Sequence, residues 1–106
     1  AFVVDQLVSA YRRRDPGCQA WFWRTATGDE VDLLMEVGDR LIPFEAKLHS
    51  APGPDDARGL FRCMADLGLP RGYVVYPGRE RYSLGRGVTA LPAQRLLGPP
   101  LRLGNL

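Results

Sequence analysis

The sequence predicts a small α/β domain built on a mixed sheet, and three observations support this fold class. An amphipathic helical pattern opens the chain, three strand-like segments joined by short turns follow, and a second amphipathic helix precedes a strongly apolar segment. A helix between two strands acts as a crossover and makes the second strand parallel to its neighbour. We therefore expect a helix, a three-stranded meander, a crossover helix and a further strand.

The first helix is predicted over residues 1–14. Its apolar side chains recur at helical spacing, namely Val4, Leu7, Val8 and Tyr11. The turn-forming segment "DPG" at 15–17 ends the pattern. Because the pattern is already under way at Ala1, we expect the chain to be a piece of a longer protein.

Three strands are predicted next. The first is the aromatic-rich segment 19–26. The second and third span 30–37 and 40–49, with Gly38-Asp39 as the tight turn between them. Pro43 interrupts the third strand, which is tolerated at a strand edge or at a bulge.

The crossover helix is predicted over residues 57–69, after a cap at Asp55 or Asp56. Its buried stripe is expected to consist of Leu60, Phe61, Met64 and Leu67. A short apolar strand, "RGYVVYP", follows at 71–77, and one more strand is expected around Val88 to Leu91.

The composition indicates one soluble globular domain over residues 1–106, with a weakly specified tail at 93–106. No apolar run is long enough to span a bilayer, and no signal segment opens the chain, so we expect a cytoplasmic protein without a membrane partner. Cys18 and Cys63 are too few and too far apart for a metal cluster. Buried thiols are the favoured interpretation, and a disulfide stays open as the alternative.

Lysine usage singles out one position. The chain has 14 basic residues, and all of them are Arg except Lys47. An ordinary surface cation in such a sequence would be Arg, so Lys47 within "FEAK" indicates a need for an ammonium group.

Strand alternation brings Lys47 close to two carboxylates. Because alternate residues of a strand face opposite sides, Val31, Leu33 and Met35 are expected on one face of the second strand and Asp32 on the other. On the third strand the two expected faces are Phe44, Ala46 and Leu48 against Glu45, Lys47 and His49. If Val37 pairs with Arg40, then Asp32 lies opposite Glu45.

Two carboxylates placed directly opposite each other repel, whereas a divalent cation needs such a pair. The alternative is a solvated sheet face on which Lys47 bridges Glu45 and Asp32. Mg²⁺ takes one or two carboxylates and keeps waters for a substrate phosphate. A lysine on the same face can orient an attacking water or stabilise transition-state charge.

The motif D-x(12)-E-x-K across a hairpin resembles the PD-(D/E)XK nuclease superfamily. The likeness is closer still to an uncharacterised C-terminal domain that follows AAA-type ATPase modules in bacteria and archaea. The matching segments, from Ala1 to about Pro92, are Trp23-Arg24, Gly28, Glu30-Val31-Asp32, Glu45 with Lys47, Gly59-Leu60-Phe61 and Gly72-Tyr73-Val74-Val75.

This resemblance implies a restriction-endonuclease-like core. It implies that Asp32 and Glu45 bind Mg²⁺ or Mn²⁺, with the Ala46 carbonyl as a third ligand, and that Lys47 acts as catalytic base or charge stabiliser. The helical Glu of the superfamily would fall just before Ala1, so the 106-residue chain alone is expected to be inactive as a nuclease. The phosphate-binding motif GxxxxGK[ST] is absent from the sequence, so any ATPase activity is expected outside it.

Several further residues are secondary candidates. Glu30 and His49 are accessory candidates at the site, each with a surface role as the alternative. Candidate nucleic-acid contacts are Arg12, Arg13, Arg14 and Arg24, the first three of which also suit the dipole at a helix end. Trp21 and Trp23 are expected in the core rather than as base-stacking platforms.

These residues and the resemblance support two functions. The first is a Mg²⁺-dependent nuclease-like domain, a hydrolase acting on DNA phosphodiesters and attached to an AAA-type ATPase module of the same chain. The second is a non-catalytic descendant of that fold, which serves the ATPase as an interaction or regulatory module. Metal binding at Asp32 and Glu45 distinguishes the two.

Overall fold

The computed structural model describes residues 2–49 and 51–94. The described elements are α1 (Phe2–Arg14), β1 (Gln19–Arg24), β2 (Glu30–Val37), β3 (Arg40–Ala46), a 3₁₀ turn (Pro54–Ala57), α2 (Arg58–Leu67), β4 (Gly72–Tyr76), β5 (Tyr82–Gly85) and β6 (Val88–Pro92). Most of the predicted tail, from residue 95 onward, lies outside the described residues. No helix in the described part is long and apolar enough to cross a membrane.

The six strands form one mixed sheet in the order β1-β2-β3-β4-β6-β5. The first three strands are an antiparallel meander, and α2 carries the chain across to β4, which lies parallel to β3. The predicted α/β class, mixed sheet and crossover helix are therefore confirmed. The strand predicted around Val88 to Leu91 is β6, which lies parallel to β4 and pairs with an unpredicted neighbour, β5.

The two helices cover opposite faces of the sheet. On one face, α1 contributes Leu7, Ala10 and Tyr11 to a core with Leu33, Met35, Ile42, Phe44, Tyr73, Val75 and Leu91. On the other, α2 contributes Leu60, Cys63 and Met64 to a core with Val31, Leu34, Val74, Tyr76, Leu84, Val88 and Ala90. Cys18 and Cys63 are buried free thiols in different cores, as the favoured interpretation predicted.

The predicted stripe of α2 is wrong at one position. Leu67 is 40% exposed, and Cys63 is buried within the stripe instead. Leu67 is the last residue of the helix, where Gly68 takes a left-handed conformation (φ 67°) and turns the chain away. The helix stops packing against the sheet at that point.

The predicted faces of β2 are also wrong, because the strand contains a bulge. Trp21 pairs with Leu34 whereas Trp23 pairs with Val31, so β2 has one extra residue at Asp32–Leu33. Val31 therefore packs on the α2 side, and Leu33 and Met35 pack on the α1 side. The prediction from strict strand alternation had placed Val31, Leu33 and Met35 on one face of the sheet.

Strand β3 ends earlier than predicted. It stops at Ala46, and Leu48 is 87% exposed rather than on the face of Phe44. Pro43 pairs with Leu34 in regular register, and pairing with β4 begins one residue later, at Phe44. Pro43 therefore lies where β3 is still an edge on the β4 side, which is where a residue without an N–H is tolerated.

Candidate metal and phosphodiester site

The paired carboxylates occupy the predicted positions. Val37 pairs with Arg40 and Leu33 with Phe44, and just beyond this register the Asp32 and Glu45 side chains lie close enough for charge interaction and hydrogen bonding. The Asp32 Oδ2 accepts a hydrogen bond of 2.9 Å from the Ala46 N–H. The Asp32 side chain thus reaches across to β3, and the bulge in β2 allows it to do so.

Glu45 is the buried member of the pair, with only 9% of its surface exposed. It pairs with Val74, which lies in the core under α2, so the carboxyl lies on the α2 side of the sheet. The pKa of Glu45 is raised to about 8, first by burial and then by the charge of Asp32 and a side-chain hydrogen bond to it, while the charge of Lys47 opposes the rise. The pair consequently retains a proton near neutral pH in the absence of a bound cation.

Lys47 lies just past the end of β3, where its N–H donates a 2.9 Å hydrogen bond to the Val75 carbonyl. Its positive charge lowers the pKa of Glu45 and also that of Asp56, for which the Gly53 N–H is the largest influence. The ammonium group is therefore close enough to influence both carboxylates. The predicted solvated face does not describe this site, because Glu45 is buried and Lys47 is half-buried.

The accessory candidates have other partners. Glu30 forms an exposed ion pair of 3.5 Å with Arg24, and His49 pairs with Asp56 at 2.9 Å. Arg24 also lies over the ring of Phe22, 5.0 Å from its centroid. Neither Glu30 nor His49 is joined to Asp32 or Glu45 by a contact that the structure describes.

The three arginines at the end of α1 lie at the other end of the sheet. Helix α1 leads through Asp15 to Cys18, and Gln19 pairs with Glu36, next to the β2–β3 turn. Asp32 and Glu45 lie at the opposite ends of β2 and β3. Arg12, Arg13 and Arg14 are exposed, and the fold does not bring them to the carboxylate pair.

The loop between β3 and α2 is held beside the site by contacts that the sequence did not predict. Asp56 accepts hydrogen bonds from the Gly53 N–H (2.8 Å) and from His49 (2.9 Å). The Tyr82 hydroxyl donates to the Pro52 carbonyl at 2.6 Å. The predicted helix cap at Asp55 or Asp56 is wrong, because both residues lie within the 3₁₀ turn and α2 begins after Ala57 without a side-chain cap. The Tyr82 contact arises from β5, which was not predicted.

Carboxylate oxygens are the ligand type that hard divalent cations such as Mg²⁺ take. Asp32 and Glu45 supply carboxylate oxygens from adjacent strands, and the Ala46 carbonyl is the further ligand implied by the resemblance. Within residues 2–49 and 51–94, no group of three or more His, Cys, Asp and Glu side chains is arranged to hold a metal ion.

The fold and site define a small α/β domain with an opposed carboxylate pair and a nearby lysine on a mixed sheet. Comparison with known families identifies the family of the domain. Residues 1–96 match a family described as a domain of unknown function, DUF4143, and the chain belongs to that family.

Two curated proteins are similar to the chain over most of its length. They are uncharacterised proteins of Mycobacterium tuberculosis (Rv2008c) and Mycobacterium bovis (Mb2031c), each 36% identical to the chain over 96 residues. The match covers 91% of the chain but 20% of each relative, so the chain spans about a fifth of their length. No solved structure matches the chain.

Proposed function

We propose that this domain binds Mg²⁺ or Mn²⁺ through Asp32 and Glu45 and acts on DNA phosphodiesters, as a nuclease-like domain of the PD-(D/E)XK type. The observation that carries the proposal is the carboxylate pair across β2 and β3, with Lys47 two residues beyond Glu45. Two ionised carboxylates this close repel, and burying one of them in the charged state costs free energy. A cation bound between them offsets both the repulsion and the burial.

Each residue has a distinct role in this proposal. A bound divalent cation lowers the pKa of a coordinated water and neutralises phosphate charge. Asp32 and Glu45 hold the cation, and the Ala46 N–H fixes the orientation of the Asp32 carboxylate at 2.9 Å. Lys47 faces the same region and orients the attacking water or stabilises negative charge that develops on the phosphate.

The test is a titration of the 106-residue protein with Mn²⁺ and with Mg²⁺, followed by thermal melting. The melting temperature of the wild type should rise with cation concentration according to mass action. Asp32→Asn and Glu45→Gln should show little or no rise. If Asp32→Asn is stabilised as much as the wild type, the metal site is wrong.

Cleavage is tested in the longer parent chain, because the chain spans about a fifth of its relatives. We place the AAA-type ATPase module in the remaining part, and the whole protein in the cytoplasm, where its two free thiols would persist. Divalent-metal-dependent DNA cleavage should be lost in Lys47→Ala while the metal-induced rise in melting temperature remains. Cleavage that survives Lys47→Ala would remove Lys47 from the mechanism.

A second candidate function is a non-catalytic interaction or regulatory module for the ATPase. It is favoured by the hydrogen bond from Ala46 to Asp32, which already occupies one carboxylate oxygen, and by the ability of the pair to share a proton. Exposed aromatic side chains on the edge strand β1 also suit a protein partner, with Trp21 52% and Phe22 57% exposed. Absence of any metal effect on the melting temperature would favour this function.

A further inference from the structure

A groove lined by arginine runs along the outer side of α2. It encloses about 680 Å³ between the helix, the 3₁₀ turn and the β5–β6 turn. Arg58, Arg62 and Arg86 line it, and Phe61 and Ala65 form part of its apolar floor. The sequence alone did not reveal it, because its arginines come from a helix and from a turn beside a strand that was not predicted.

Arg86 has an unusual backbone conformation for a side-chain-bearing residue. It has a φ of 53°, between Gly85 (φ 92°) and Gly87 (φ 84°), and among described residues it is the one non-glycine with positive φ. Glycine would adopt this conformation at lower cost. The conformation holds the guanidinium over the ring of Phe61, 5.3 Å from the centroid, at the groove.

The chemistry of the groove suits phosphate groups rather than bases. Guanidinium groups are weakly hydrated and donate in a fork that matches phosphate oxygens. The Phe61 face is covered by Arg86, so this ring offers no open platform there for base stacking. Contacts of this kind position a nucleic-acid backbone without recognising its sequence.

Acidic side chains make one end of the groove less favourable for phosphate. Asp29 and Asp55 line the groove near the start of α2. Asp66 forms an ion pair of 3.3 Å with Arg62 and so partly neutralises its charge. The field of the groove is therefore most positive toward Arg86. Neutralising Asp55 should strengthen the binding of an anionic strand.

One end of the groove lies on the segment that leads into the carboxylate pair. Asp29 lines it and lies three residues before Asp32, roughly 10 Å along extended chain. Helix α2 rests directly on this segment, because a Cβ on Gly59 would lie 2.4 Å from the Glu30 carbonyl oxygen. The 3₁₀ turn also joins the two regions, since Pro54 and Asp55 line the groove and Asp56 contacts His49.

We propose that the α2 groove binds the phosphodiester backbone of a nucleic-acid strand through Arg58 and Arg86, and leads that strand toward Asp32 and Glu45. The role as a substrate path rests on the proposed function. The binding itself needs neither a metal ion nor cleavage. This assigns phosphate contact to the α2 groove and not to the arginines at the end of α1.

The test is fluorescence anisotropy of a labelled single-stranded DNA oligonucleotide with the 106-residue protein in EDTA, over a range of salt concentrations. Arg58→Gln and Arg86→Gly should each weaken binding at low salt by about tenfold. Each should also lower the slope of log K against log salt by about 0.7. Arg86→Gly relieves the positive φ, so its melting temperature should not fall, and lost binding cannot be attributed to unfolding.

Matched variants keep the result specific. Arg81→Gln removes an exposed positive charge outside the groove and, like Arg13→Gln, should leave the affinity unchanged, whereas Asp55→Asn should raise it. Unchanged binding by Arg58→Gln and Arg86→Gly, or an equal loss in Arg81→Gln, would overturn the assignment. Equal affinity for polyglutamate would overturn phosphate as the ligand. Because binding is measured in EDTA, failure of the Mn²⁺ titration would leave this result intact.

Discussion

At the scale of single residues, the protonation of Glu45 is the property most strongly changed by folding. Its carboxyl is buried, and its pKa is raised from the usual 4.5 to about 8. A raised pKa means that the folded protein binds a proton that the unfolded chain has released. The corresponding stability is present below pH 4.5 and is lost as the pH rises toward 8.

The first prediction is a pH-dependent difference in stability between wild type and Glu45→Gln. In metal-free buffer, the free energy of unfolding of the wild type should fall relative to the variant as pH rises from 4.5 to 8. The limiting slope is roughly 1.4 kcal/mol per pH unit. Urea denaturation at several pH values measures it. Asp32→Asn should show a shallower fall, and parallel profiles for wild type and Glu45→Gln would contradict the burial of an ionisable Glu45.

The second prediction concerns the Tyr11 hydroxyl, which is buried and has no hydrogen-bond partner within the described part of the chain. Its ring packs edge-on against Phe44 with centroids 6.0 Å apart. Tyr11→Phe keeps this ring contact and removes an unsatisfied polar group, so stability should be unchanged or higher by about 1 kcal/mol. Urea denaturation again checks it. A loss larger than that would show that the hydroxyl has a partner.

The residue pairing of the site could be predicted, but its burial could not. Counting outward from the Gly38-Asp39 turn gave the observed register as far as Leu33 and Phe44, because a two-residue turn fixes hairpin register, and so brought Asp32 and Glu45 close together. The sequence could not show that Val74 and α2 would enclose Glu45, because that contact depends on the crossover. Nor could it show that His49 pairs with Asp56.

At the scale of elements, the approach of α2 to β2 depends on one glycine. A Cβ at Gly59 would lie 2.4 Å from the Glu30 carbonyl oxygen, a backbone atom that cannot move aside without moving the strand. The third prediction is that Gly59→Ala destabilises the protein by about 1–3 kcal/mol. This is opposite to the gain of up to about 1 kcal/mol that alanine usually brings within a helix. Thermal and urea denaturation measure the net effect.

Gly53→Ala is the matched control for that substitution. No atom lies within 4 Å of a Cβ at Gly53, whose φ of −115° is accessible to any residue. Its stability should stay close to that of the wild type. If Gly59→Ala were as stable as Gly53→Ala, α2 would have to lie farther from β2 than the structure places it.

The order of elements followed from periodicity, and the departures from it have local causes. Alternation cannot reveal the bulge at Asp32–Leu33, because the bulge is visible only in the pairing with β1. Strand β5 is four residues long and only one of them, Leu84, is buried, so it has little apolar pattern to detect. Trp21 was expected in the core but is 52% exposed, because β1 is an edge strand, whereas Trp23 packs partly against the α2-side core.

At the scale of the whole molecule, the carboxylate pair and the arginines of α1 lie at opposite ends of the strands. The carboxylate pair lies on the α2 side of the sheet where β3 ends, and one end of the arginine groove lies at Asp29, three residues before Asp32. Arg12, Arg13 and Arg14 lie beyond the opposite end of the same strands. A strand of nucleic acid bound at the α1 arginines would therefore have to run past the sheet to reach Glu45, whereas one in the α2 groove would not.

The last prediction uses the proton on the carboxylate pair to distinguish the two candidate functions. A cation that binds between Asp32 and Glu45 must displace the proton that the pair retains near neutral pH, because the pKa of Glu45 is about 8. The rise in melting temperature at a fixed Mn²⁺ concentration should therefore be larger at pH 8 than at pH 6, with about one proton released per ion at pH 6 and about half that at pH 8. Thermal melts and calorimetry in buffers of different ionisation enthalpy measure the two quantities. Glu45→Gln should lose most of the rise and all of its pH dependence. A rise that is the same at both pH values, or that persists in Glu45→Gln, would place the ion elsewhere. No rise at either pH would leave the carboxylates as a proton-sharing pair in an interaction module.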